Sequence, residues 1–104
     1  MEQAVIVHLP LKEGPFGSAS ERDAVATLIN ALEGAIDEHG VGEFDGEEFG
    51  GGRCVIYMYG PDADRLFAAI EPILKAAPAT RGGFAIRRYG EAKDASAAET
   101  RVSL

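Results

Sequence analysis

The residues best able to do chemistry cluster in Phe44–Gly60, FDGEEFGGGRCVIYMYG, where three consecutive glycines stand between Glu47, Glu48, Phe49 and Arg53. Glycines allow a backbone to approach a ligand closely, here Gly51 and its neighbours. Phe16 and Phe49 would supply apolar walls, and Arg53 or Arg81 an anion contact. The plainer reading of the same residues is a hairpin connection, because turns are where glycine is normally found. A second glycine-bearing loop, GPFGS at 14–18, would offer an anion the terminus of a following helix, although it lacks the lysine and the spacing of a phosphate loop.

The residues that usually carry catalysis are scattered. His8 falls within an apolar run and His39 at the end of a helical pattern, with no partner at ligand spacing. They read as a packing residue on a sheet face and a helix-terminal cation, respectively. Cys54 follows Arg53, which would lower its pKa, but a thiol inside a strand is usually a small buried hydrophobe. Glu47 and Glu48 alternate across a strand and do not form a catalytic pair, and no Cys, His, Asp and Glu grouping has zinc spacing. No catalytic residue, metal or cofactor is implied.

These groups must be positioned by a short list of elements. AVIVHL, 4–9, is of strand length and ends at Pro10. Ser18 and Glu21 stand in capping-box spacing, as do Ser20 and Asp23, ahead of a helix over about 20–39. Its stripe is Val25, Leu28, Ile29, Leu32 and Ile36, and Gly40 is its left-handed stop. A weak strand from Val41 to about Glu47, acidic and glycine-bearing, suits a sheet edge. Arg53–Tyr59 is rich in β-branched and aromatic residues and belongs in the middle of the sheet. Asp62 or Asp64 would cap a second helix with the stripe Leu66, Phe67, Ile70, Ile73, Leu74 and Ala77; Pro72 lies inside it and predicts a bend in one helix. FAIRRY, 84–89, is the last firm strand. The tail 91–104 is polar until Val102 and Leu104 alternate, which favours a short edge strand over a frayed end.

Composition limits the classes of function. The chain has 104 residues, the size of one domain, with one cysteine, so a disulfide framework is excluded. A formal net charge of -7 repels phosphate backbones and anionic lipid. Nucleic acid and membrane are therefore not expected as partners. The absence of a basic leader and of a long apolar run in this sequence points to the cytoplasm.

The order strand, helix, strand, strand, helix, strand over residues 4–90 resembles the ferredoxin-like α+β sandwich. That resemblance implies a four-stranded antiparallel sheet in the order 4-1-3-2 with both helices on one face. The segment GGGRCVIYMYGPDADRLFAAIEPIL is also similar to small bacterial proteins of unknown function, which implies no activity. The layout predicts that the loop after the first strand (12–20), the glycine hairpin (47–53) and the exit of the second helix (77–83) gather at one end. Alternation leaves two assignments, which a one-residue change of register would exchange; in the one taken here Val5, Val7, Leu9, Cys54, Ile56 and Met58 face the helices. The open face would then show Ile6, His8, Val55, Tyr57, Tyr59, Ala85, Arg87 and Tyr89.

Three functions follow as expectations. The first is a non-enzymatic module that forms a homodimer through the open face, with His8, Tyr57, Tyr59, Arg87 and Tyr89 at the interface. The second is a small acidic inhibitor, of the immunity type, of a basic protein. The third is an enzyme of small molecules working at the glycine-hairpin end. The open-face tyrosines invite comparison with RNA-binding sheets, but RCVIYMY lacks the glycines of that signature and the charge is adverse.

Overall fold

A computed structural model describes residues 2–104 of the chain. Strand β1 spans Gln3–Pro10, helix α1 Ala19–His39, β2 Glu43–Gly50, β3 Arg53–Gly60, helix α2 Ala63–Ala76, β4 Phe84–Arg88 and β5 Glu99–Ser103. All strand pairings are antiparallel, in the order β2-β3-β1-β4-β5. Among the described residues the sheet has five strands, one more than the four-stranded layout of the resemblance, and the extra one is the short edge strand expected of the tail. The tail forms the fifth, paired with β4 and tied down at its end by the Leu104 amide donating to the Gly83 carbonyl at 3.0 Å.

The start of α1 is set by the chemistry its sequence promised. Ser18 is the N-cap and completes a capping box with Glu21. The Glu21 carboxylate does more than close that box, because it also accepts the amides of Lys12 at 2.7 Å and Glu13 at 3.0 Å. One side chain thus ties the β1–α1 loop to the helix. These backbone donors hold the Glu21 carboxyl below its ordinary value of 4.5, the Lys12 amide most. Because the folded state favours the charged form, the stabilisation is present above pH 4.5 and is lost as pH falls through the depressed value. Glu21→Gln is expected to lower the urea midpoint at pH 7, and its deficit against the parent protein should shrink as the buffer is taken below that range.

Asp62 caps α2 through the amides of Asp64 and Arg65, and the Gln3 side-chain oxygen accepts the Ala63 amide at 2.8 Å, fixing the helix start to β1. The helix runs unbroken through Pro72. At its exit the buried Thr80 hydroxyl is shared between the Leu74 and Ala77 carbonyls, at 2.6 and 2.9 Å; the Leu74 carbonyl has Pro78, which carries no N–H, where its helical donor would stand.

Both helices cover one face of the sheet. Val5, Val7 and Leu9 of β1 and Cys54, Ile56 and Met58 of β3 are buried in a single cluster with Val25, Leu28, Leu32 and Ile36 of α1 and Leu66, Phe67, Ile70 and Leu74 of α2. Burying each of the larger aliphatic side chains contributes about 1.5–3 kcal/mol. Cys54 belongs to this core, and burial pushes its thiol up to about 11. No helix among the described residues is long and apolar enough to cross a membrane.

Candidate functional site

The strand register turns the opposite face into an ordered array. At one end Glu43, Tyr59, Ala4, Arg88 and Glu99 lie in line across β2, β3, β1, β4 and β5. The next line is Gly46, Tyr57, Ile6, Ile86 and Arg101, and the one after it Glu48, Val55, His8, Phe84 and Ser103. Gly50, Arg53 and Pro10 close the array at the hairpin end. No helix lies over these residues. The centre is apolar and aromatic, and Ile6, Val55, Tyr57, Tyr59, Phe84 and Ile86 are only half-buried, by one another.

Several local contacts hold this surface in shape. The imidazole of His8 stacks on the ring of Phe84 with centroids 4.6 Å apart, and the Arg101 guanidinium lies 3.6 Å above the same ring. A cation over an aromatic face contributes about 0.5–1 kcal/mol at an exposed site. The His8 pKa is lowered, by burial first and then by Arg53 and Arg101. Its Nδ1 is buried without a partner, so protonation would bury an unpaired charge-bearing donor. His8 is a neutral packing residue. The Tyr57 phenol is pushed up by burial and then by the Glu48 carboxylate, so it too is neutral at ordinary pH.

The register corrects the sequence expectation on β4. Ala85 is buried in the core, and the Arg87 guanidinium lies 5.2 Å from the ring centroid of Phe67 on α2. Arg87 also pairs with Asp64 of α2 at 3.1 Å, and the Tyr89 hydroxyl donates to the same carboxylate at 2.6 Å. Ala85, Arg87 and Tyr89 therefore point to the helix layer, and Phe84, Ile86 and Arg88 take their place on the open face. The physical reason is the bulk of Phe67, which leaves room beneath α2 for a small residue and an arginine stem. His8, Tyr57 and Tyr59 are on the open face as expected.

The three loops do gather at one end. The Leu11 amide donates to the Gly52 carbonyl at 2.9 Å, and the Gly52 amide to that of Pro15 at 3.0 Å. They do not, however, assemble the expected ligand residues into one cavity. Arg81 lines a cleft of about 280 Å³ with Lys12, Glu13 and Ser20, whereas Gly51 and Arg53 line a separate one of about 140 Å³ beside His8 and Phe84. Phe49 packs against the core from β2, Glu47 and Glu48 take opposite faces, and Phe16 is 60% exposed above Gly50. The amides after β1 that an anion would use already hold Glu21. That competitor was visible in the sequence as the fourth residue of the capping box.

Arg101 and the β4 residues Phe84, Ile86 and Arg88 belong to the candidate surface without having been named from the sequence. Among the described residues no group of three or more His, Cys, Asp and Glu side chains gathers to hold a metal ion. No family model matches the chain, and neither a curated protein nor a solved structure matches it significantly.

Proposed function

We propose that this chain is a ferredoxin-like α+β module with an appended fifth strand, and that it works by association, as a homodimer through its open sheet face. The observation that supports this is the uncovered line Tyr57, Ile6 and Ile86 at the centre of the array, flanked by Val55, Phe84 and Tyr59. Contiguous apolar surface of this kind marks interaction sites. Five strands about 4.8 Å apart and rows spanning about 20 Å give roughly 500 Å² of flat footprint. Side-chain relief brings the accessible area towards the ~800 Å² per partner of a standard interface.

The charges on this face favour a second copy over a strongly basic protein. Glu43, Glu48 and Glu99 are matched by Arg53, Arg88 and Arg101, although the whole chain carries -7. The acidic surplus lies off the open face. An inhibitor of a basic partner would present it at the contact.

Sedimentation at tens of micromolar tests the reading. The protein is expected to run as a dimer and Tyr57→Asp as a folded monomer, since the charge would have to be buried against apolar side chains. A monomeric parent protein, or a dimer indifferent to Tyr57→Asp, would reject it.

A further inference from the structure

The balanced charges on the open face are not mixed evenly. Glu43 and Glu48 stand on β2 at one edge, with Arg53 on the adjacent β3, and Arg88 and Arg101 on β4 and β5 towards the other, with Glu99 beside them. Two sheets that meet face to face can be related by a two-fold axis running along the strands or across them. An axis across the strands lays each strand over its own copy. Glutamates of β2 would then oppose glutamates, and Arg101 would oppose Arg101. An axis along the strands reverses left and right, so that β2 lies over β5, β3 over β4, and β1 over itself.

We infer that the second copy docks with the two-fold axis along β1, seating Arg101 of each copy over Gly46 of the other, between Glu43 and Glu48. The inference rests on the open face being the contact. Gly46 is in line with Arg101 across the sheet and has no side chain to obstruct a guanidinium arriving from above. The flanking glutamates lie one line away on either side, about 7 Å along the strand. Aligned sheets cross at about 30°, which displaces the outer strands by about 5 Å. That is less than the spacing between lines, so Arg101 keeps an acidic neighbour whichever way it shifts. In the same arrangement Tyr57 meets Ile86, Val55 meets Phe84, and Tyr59 meets Arg88. The least favourable contact is Glu43 with Glu99, and Arg101 stands beside it.

Charge reversal separates this geometry from the weaker statement that the face dimerises. E48R and R101E should each weaken self-association about tenfold or more at low salt, because like charges then meet at both symmetric contacts. An equimolar mixture of the two should restore a dimer, and native mass spectrometry should show it to be the heterodimer. The double variant E48R/R101E should pair with itself. Glu43→Arg in place of E48R repeats the test without altering the neighbour of Tyr57, and circular dichroism checks that each variant is folded. If Tyr57→Asp dissociates the parent dimer but the mixture gives no heterodimer, the axis is wrong and the open face stands. If the parent protein is a monomer, or Tyr57→Asp leaves its dimer intact, both fail.

Discussion

Gly83→Ala is expected to cost about 3 kcal/mol or more, a large share of the 5–15 kcal/mol that stabilises a domain of this size. A Cβ at this position would overlap the carbonyl oxygen of His8 and lie 3.0 Å from that of Thr80. Both obstacles are backbone, so relief requires separating β1 from the start of β4. The neighbouring Gly82 is the control. Its φ of +81° makes a side chain unfavourable, but a Cβ there would meet only the Pro10 ring at an ordinary 3.6 Å. Gly82→Ala should cost only the ~1–2 kcal/mol of the left-handed conformation. Urea midpoints of the two variants give the comparison, and similar losses would contradict the packing described. The consequence reaches the open face, because the next residue, Phe84, stacks on His8 and lies under Arg101.

Ile6→Asp is expected to weaken self-association by about a hundredfold, more than any other single change on the open face. Ile6 is on the central strand, in line with Tyr57 on one side and Ile86 on the other. A two-fold axis along β1 brings it against its own copy, so one substitution places two carboxylates face to face in an apolar surround. The chain should still fold, since the half-buried side chain is outside the helix-covered core. Sedimentation equilibrium over a range of concentrations measures the change. A loss below tenfold would mean that Ile6 is not near the centre of the contact.

The parts of this architecture that were legible in the sequence are those where two signals agreed. Two overlapping capping boxes, Ser18 with Glu21 and Ser20 with Asp23, marked a helix start to within two residues, and Val25, Leu28, Leu32 and Ile36 then gave its buried stripe; the structure uses the first box. In β1 and β3 alternation divided the residues into two sets, and the structure buries the set that holds Val5, Val7, Ile56 and Met58, leaving His8 and Tyr57 on the other side. FAIRRY offered no such contrast. Phe84 and Ile86 are more apolar than Ala85 and Arg87, yet the latter pair faces the helices, because Phe67 of α2 already occupies that space. A tertiary neighbour decided the parity. The ligand residues suggested by the glycine hairpin failed for a related reason. Their grouping depended on loop paths, and the paths sent Phe49 into the core and Arg81 into a different cleft from Arg53. The fifth strand was foreshadowed only by Val102 and Leu104, both of which pack against the core.

The side of the sheet without helices is expected to meet the same side of a second copy. Isotope-filtered nuclear Overhauser spectroscopy on a mixture of labelled and unlabelled protein tests it directly. Intermolecular cross-peaks are expected between the Ile6 methyls of the two copies, and from the Tyr57 ring to the Ile86 methyls of the other copy. A spectrum without intermolecular peaks at concentrations well above micromolar, or with peaks confined to the exposed edge of β5, would contradict it.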